Sequence, residues 1–292
     1  MATKLAPPEQ TFTTRKVHPT IGLEISGLDV SKPLDADTIA ELTRLSSEYK
    51  VLIFKEQNLS SEQLGVFAQN FGDTKQIPPK IGNNRERQHN VSRLGNQEEA
   101  GAKHVEVSGY AKVARFWHTD SSWRPIPTWL TFLTAVEIPD KDGDTGFADM
   151  QAAYEALPEE KKAFLADKHM VHSWRTLRHY QTDIAAMGDD ENVPPPMTHP
   201  LIRTVDGRKS LFLNGHVCYY VGGMPSLEEG EALFRELIDH ATSQPFVYQH
   251  KWTVGDLVMW DDRSTMHRAM PWDYSQRRVM HRAEVCGTEP PK

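Results

Sequence analysis

Two histidines and an aspartate, His118, Asp120 and His267, are the residue types that can hold one divalent ion on a single face. Imidazole and carboxylate ligands suit ferrous iron, and three protein ligands leave the opposite face open for chemistry. Arg278 stands eleven residues beyond His267 (278 − 267). A guanidinium is planar, always charged and two-pronged, which suits a dianionic co-substrate held over that open face. The set points to an oxygen-using iron enzyme.

Thirteen histidines and forty acidic residues produce some His-x-acid triplets by chance. The chain has two, His118-Thr119-Asp120 and His104-Val105-Glu106. The first follows Phe116-Trp117 and precedes a strand-like run, Trp129 to Val136, whereas the second sits in polar loop sequence. Residues i and i+2 of a strand share a face, so a strand at 118–120 would aim both side chains at one ion. Taken alone, His118 and Asp120 would read as a surface hydrogen-bonded pair, His267 as a core histidine and Arg278 as a solvated strand charge. The last reading is the one given to Arg277, which points to the opposite face.

Strands must position these groups, and the chain supplies them. Residues 11–32 read as short strands with turns at Gly22, Gly27 and Pro33. Ile39, Leu42, Leu45 and Tyr49 lie near helical spacing and predict a helix over 35–49. Val51 to Phe54 is a buried strand. Ser60 to Gln63 forms a capping box, and Leu64, Phe67, Ala68 and Phe71 continue one helical face up to Gly72. Residues 74–114 are polar and Asn/Gly-rich without periodicity, and they lead into His118. They read as an active-site loop that closes as a lid. A helix is expected over 149–165, broken at Pro158, followed by irregular chain over 173–200. Ser226 and Glu229 cap a further helix with Leu233, Phe234, Leu237, Ile238 and Ala241 on one face. Strands return at 246–252, 257–260 and 279–285, with a turn at Gly255-Asp256. No repeat or linker divides the chain, so one domain over 1–292 is expected. Strands around the ligands with helices outside predict a mainly β fold, a double-stranded β-helix (jelly roll, cupin-like) with helical insertions.

The composition is that of a globular protein: 292 residues, 38% hydrophobic and 25% charged. A net charge of −7 gives no reason to expect nucleic-acid binding. The first residues carry no apolar targeting core, and no apolar run is long enough to span a membrane. A cytoplasmic protein is expected. Its two cysteines, Cys218 and Cys286, lack metal-ligand spacing and read as reduced thiols, and a reducing compartment suits ferrous iron.

With these motifs in order, the chain resembles the taurine dioxygenase / 2,4-dichlorophenoxyacetate dioxygenase family of iron(II)- and 2-oxoglutarate-dependent oxygenases. The resemblance runs from about Gly22 to Gly287. It is carried by Phe116-Trp-His-Thr-Asp120, Gly143-Asp-Thr145, His199-Pro-Leu-Ile-Arg-Thr204, Gly255 to Arg263, and His267 followed by Arg277 to Arg282. Thr145 lies 25 residues after Asp120 (145 − 120), as the family pattern requires. Asp142 stands where members commonly have a glycine, and Asp262 where they often have asparagine.

The resemblance implies that His118, Asp120 and His267 bind iron(II), with 2-oxoglutarate and dioxygen taking the remaining positions. Arg278 and Thr145 would hold the distal carboxylate of 2-oxoglutarate. Arg282, four residues further along the strand, would face the same interior. It would hold the acidic head of a small anionic substrate or help with the 2-oxoglutarate, or else sit in a structural ion pair. His216 and Lys75 would contact substrate, and their ordinary readings are a turn histidine and a surface lysine. Trp117, Trp123, Phe147 and Trp260 could wall an apolar pocket or belong to the core. The implied reaction is hydroxylation with release of succinate and carbon dioxide. An aryloxyalkanoate-like carboxylate is the first substrate class and taurine or another alkylsulfonate the second. A homo-oligomer, dimer or tetramer, is expected. Two rivals from other classes are a small-molecule-binding jelly roll without catalysis, opposed by the intact metal set, and a zinc hydrolase. The hydrolase has no use for the Arg278–Thr145 clamp.

Overall fold

The computed structural model describes residues 12–74, 87–88, 90–96, 114–176 and 194–292. In chain order, the first strands and helices are β1 (Thr13–Lys16), β2 (Leu23–Ser26), α1 (Ala36–Tyr49), β3 (Val51–Phe54) and α2 (Ser61–Gln69). Next come β4 (Arg87–Gln88), β5 (Val91–Gly95), β6 (Thr128–Glu137), β7 (Thr145–Asp149), α3 (Met150–Glu155) and α4 (Glu159–Leu165). They are followed by β8 (His169–His172), β9 (Met197–Pro200), β10 (Ile202–Val205), β11 (Arg208–Leu211), β12 (Val221–Gly222) and α5 (Leu227–Ala241). The last four strands are β13 (Val247–His250), β14 (Leu257–Asp261), β15 (Thr265–Ala269) and β16 (Val279–Cys286).

Eight strands form one large sheet in the order β1-β2-β3-β14-β6-β16-β5-β4. Alternation along its central strands sorts side chains onto two faces. Leu52, Phe54, Leu130, Phe132, Leu257, Met259, Ala283 and Val285 pack outward with Leu42 and Leu45 of α1 and Leu64 and Phe67 of α2. The Phe67 ring meets Phe54, Phe71 and Phe132 at centroid distances of 5.9, 5.4 and 5.7 Å. Burying one such side chain stabilises by about 1.5–3 kcal/mol. Residues of opposite parity, Val51, Ile53, Leu133, Val258, Trp260 and Met280, pack inward with Phe147 and Trp252. A small sheet, β13-β7-β15, supplies part of the opposing layer. The mainly β fold is the expected jelly roll, with helices outside.

Local chemistry sets the helix ends. Asp35 caps α1 by accepting from Thr38 N, and Ser60 and Gln63 form the reciprocal box of α2. Ser226 caps α5 through Glu229 N. Pro158 splits the expected helix into α3 and α4 and is the N-cap of α4, as its missing N–H allows. Helix α2 stops at Gln69, before the glycine at 72.

Two expectations are corrected. The segment read as loop over 74–114 contains β5, which pairs with β16 from Val279↔Gly95 to Arg282↔Ser92. The remainder of the proposed lid, with Lys75 and His104, lies mostly outside the described residues. His118 and Asp120 are not on a continuous strand either. His118 makes an isolated bridge to His267, and Asp120 opens a turn in which Ser121 has φ 55°.

Candidate active site

His118 and His267 exchange backbone hydrogen bonds, N–H to O at 2.9 Å one way and 2.8 Å the other. Directly opposed residues of an antiparallel pair place their side chains on one face. The two rings accordingly lie 4.2 Å apart, centroid to centroid. Asp120 completes the set: its oxygens are 3.9 Å from His118 Nε2 and 3.8 Å from His267 Nε2. One ligand atom from each residue fits within 4.8 Å of the others, a spacing that could hold a metal ion, and all three residues are buried. The sequence thus chose three residues that the fold brings together.

Each ligand is held by its neighbours. His118 Nδ1 lies 2.7 Å from the Phe116 carbonyl, which leaves Nε2 facing Asp120. The Asp120 N–H donates to Asp262 Oδ1 at 3.0 Å. The Thr131 hydroxyl, inward on β6, lies 2.6 Å from Asp262 Oδ2 and 3.1 Å from Asp120 Oδ2. Thr119 Oγ1 donates to the Thr265 carbonyl, and Asn214 Nδ2 donates to the Thr119 carbonyl, each at 2.8 Å. Behind His267, Trp260 and Phe147 approach with centroids at 4.8 and 6.4 Å and are almost fully buried. These two aromatics back His267. Trp117 instead lies over Gly146 and under the Arg268 guanidinium, and Trp123 packs on Trp174.

Burial pushes both ligand imidazoles below the usual histidine range, so they stay neutral with lone pairs available to a metal. For Asp120 burial opposes ionisation, but the charge of Arg282 and the neighbouring histidines hold it below the carboxylate range. Burial raises Asp262 far above that range, and the charge of Asp120 adds to the effect. His216 lies edge-on to His118, centroids 5.1 Å apart, and burial lowers it to about 3.

Arg278 sits just before β16 and is 5% exposed. Its backbone is fixed by Asn96, whose Oδ1 accepts from Arg278 N at 2.9 Å and whose N–H donates to Arg278 O at 3.3 Å. Gly95 makes this approach possible: φ is 140°, and a Cβ there would lie 1.8 Å from the Arg278 carbonyl oxygen. Arg278 Nε donates to the Gly143 carbonyl at 3.3 Å, and the guanidinium lies 5.0 Å from the Trp272 ring centroid. Gly143 has φ 74° and Asp142 φ 65°, left-handed backbone that aspartate tolerates in place of glycine. No carboxylate lies within salt-bridge distance of Arg278 among the described residues. Burial lowers it to about 10, so it remains charged at neutral pH. The Thr145 hydroxyl accepts from Trp252 Nε1 at 3.0 Å, which leaves its own proton to donate.

Arg282, four residues along, is differently placed. Its Nη1 lies 3.3 Å from Asp120 Oδ1 and its Nη2 2.5 Å from Glu284 Oε1. The ion-pair reading of Arg282 thus has protein partners. Arg277 pairs with Glu137 at the rim, Nη2 to Oε1 at 2.8 Å. Sequence reasoning missed Gly95, Asn96, Thr131, Trp252 and Glu284. Only Glu284 carried a legible signal, since i and i+2 of one strand share a face.

Residues 13–283 match the family described as taurine catabolism dioxygenase TauD, TfdA family. An alpha-ketoglutarate-dependent 2,4-dichlorophenoxyacetate dioxygenase of Cupriavidus pinatubonensis is 36% identical over 277 residues, covering 91% of this chain and 95% of the relative. An (S)-phenoxypropionate/alpha-ketoglutarate-dioxygenase of Sphingobium herbicidovorans is 32% identical over 291 residues, covering 94% of this chain and 95% of the relative. The crystal structure of AAD-2 in complex with Mn(II) and N-oxalylglycine superposes with a TM-score of 0.78 at 36% identity, over 97% of this chain and 100% of that one.

Proposed function

Because the chain belongs to the taurine catabolism dioxygenase TauD, TfdA family and is a 2-oxoglutarate-dependent dioxygenase, we propose that it hydroxylates a small anionic substrate, an aryloxyalkanoate-like carboxylate, with release of succinate and carbon dioxide. One observation carries the reading. A buried histidine–aspartate–histidine cluster shares the interior with Arg278, a guanidinium that no carboxylate meets among the described residues. A buried cation in that condition calls for an anion from outside the chain.

In this reading His118, Asp120 and His267 hold iron(II). The donor set fits it, because the imidazoles are neutral and the carboxylate is ionised. Bound iron, with 2-oxoglutarate and dioxygen, supplies the oxidising chemistry. The protein supplies position and charge. Phe116 and Asp262 fix the orientation of His118 and the backbone of Asp120. Arg278 receives the distal carboxylate of 2-oxoglutarate in a two-pronged contact, and the Thr145 hydroxyl donates to the same group. Phe147 and Trp260 keep water from the back of His267. His216, edge-on to His118, borders the primary substrate. Arg282 shares its donors between Asp120, Glu284 and the substrate's acidic head. Lys75 lies outside the described residues and keeps its proposed substrate contact on sequence grounds alone.

The taurine or alkylsulfonate alternative would use the same guanidinium, and the names of the two relatives above favour the carboxylate. We take the chain as one domain over 1–292, acting in the cytoplasm as a homo-oligomer. Among the described residues no helix is long and apolar enough to cross a membrane. Succinate release across a panel of aryloxyalkanoates, sulfonates and amino acids tests the substrate class. His118→Ala, Asp120→Ala and His267→Ala should each abolish turnover and weaken cobalt(II) binding, read by absorption, while the folded circular-dichroism signal survives. Wild-type consumption of 2-oxoglutarate by any of the three would remove that residue from the set.

A further inference from the structure

Glu284 is a buried acid whose ion-pair partner among the described residues is Arg282. It is 3% exposed, and its Oε1 lies 2.5 Å from Arg282 Nη2. Its other oxygen, also buried, makes no hydrogen bond among the described residues. Position explains the pairing. Along β16, Ala283 and Val285 belong to the outward layer under α1 and α2, and Ser61 Oγ of α2 lies 3.1 Å from His281 Nδ1. Residues of the other parity, Met280, Arg282 and Glu284, face the barrel interior. The inward acid therefore stands beside the inward base, two residues further from the Arg278 end of the strand.

The consequence concerns charge. The two terminal nitrogens of Arg282 face different carboxylates, Nη1 toward Asp120 and Nη2 toward Glu284. A guanidinium so engaged attracts a third anion far less than one facing a single carboxylate. The field of Glu284 also reaches Asp262, whose proton affinity it helps to raise. We infer that Glu284 is a specificity-determining residue, which limits the attraction that Arg282 offers to the acidic head of the primary substrate. The inference rests on the substrate reading above. Among the described residues Glu284 makes no ion pair with the proposed metal ligands or with Arg278, so its effect should fall on the primary substrate.

Glu284→Gln tests this, since it keeps the size and an accepting oxygen and removes the charge. Dissociation constants are measured without oxygen on cobalt(II)- and 2-oxoglutarate-loaded protein, with phenoxyacetate and phenoxyacetamide as probes. Removing a neighbouring negative charge should tighten phenoxyacetate by about tenfold, leave phenoxyacetamide within about twofold and leave 2-oxoglutarate unchanged. Glu284→Thr makes the same comparison with a smaller side chain should the glutamine chain not accumulate. An unchanged or weaker constant for phenoxyacetate overturns the inference, as does an equal gain for the amide. A variant that changes only the thermal midpoint assigns Glu284 to stability alone and also overturns it. If wild type and variant both fail to prefer the acid over the amide, the substrate reading itself is wrong, and the inference falls with it.

Discussion

Two arginines four residues apart, at the two ends of one short stretch of chain, live in opposite conditions. Both are buried and both enter the barrel interior. Arg278 is held by its backbone, by one carbonyl and by an indole face, and no carboxylate meets its charge among the described residues. Arg282 meets two, Asp120 and Glu284. Among the described residues the same residue type thus stands once without a carboxylate, as the proposed receptor of 2-oxoglutarate, and once between two carboxylates of the chain. Burial is common to the two, and what differs is where the counter-charge comes from.

Thermodynamics should separate them. The largest expected effect is on Arg282→Leu, which strands two buried carboxylates and should cost about 3–5 kcal/mol of folding stability, read from urea midpoints of the metal-free protein. Arg278→Leu removes no protein carboxylate's partner, and the same assay should show little loss. Equal losses would erase the distinction. Next in size is the effect of Arg278→Ala on 2-oxoglutarate affinity, a loss of about 2–5 kcal/mol measured by titration of the metal-loaded protein without oxygen. Unchanged affinity would reject the clamp. Thr145→Val should cost about 1 kcal/mol in the same titration. A loss as large as that of Arg278→Ala would mean that Thr145, through Trp252, supports the pocket as a whole.

The smallest effect is a pH dependence away from both arginines. His172 is fully buried, and burial, with the neighbouring His199 and Arg203, holds it well below the ordinary histidine value. The unfolded chain therefore takes up a proton first as pH falls. Stability contributed by the neutral ring is present above about pH 6.5 and declines as pH drops below it. The thermal midpoint of the metal-free protein should fall between pH 7 and pH 5, and His172→Phe should flatten part of that slope. An unchanged slope would take His172 out of the account.

Much of this was legible in the sequence for physical reasons. The capping serines at 60 and 226 and the runs rich in apolar residues in β6, β14 and β16 announce their elements, because end chemistry and local composition are read directly from the chain. The residue types and spacing of His118, Asp120, His267 and Arg278 also pointed to one interior. Other parts were hidden. Strand β7, Thr145–Asp149, is buried at every residue yet mixes threonine, glycine and aspartate with its two apolar residues, so it shows neither alternation nor an apolar run. Strand β5 lies in polar sequence, and its pairing with β16 is a contact between distant segments. The strand expected at 118–120 is a single bridge, because Asp120 is oriented by Asp262 and Thr131 instead of by strand parity. For Arg282 the sequence left a ligand contact and a structural ion pair both open, and the partner two residues on, Glu284, was not singled out.

The bridge between His118 and His267 has an entropic meaning. The two imidazoles are 149 positions apart in the chain (267 − 118). Bringing such distant ligands together is a ring closure, and the cost of a closure grows with the logarithm of its length. Here two reciprocal backbone bonds complete the ring during folding. On the proposed function, an arriving ion meets two imidazoles already opposed and loses little binding free energy to ordering the chain between them. Lengthening a surface loop anywhere in that interval should therefore leave the ion's affinity untouched, provided the bridge itself survives.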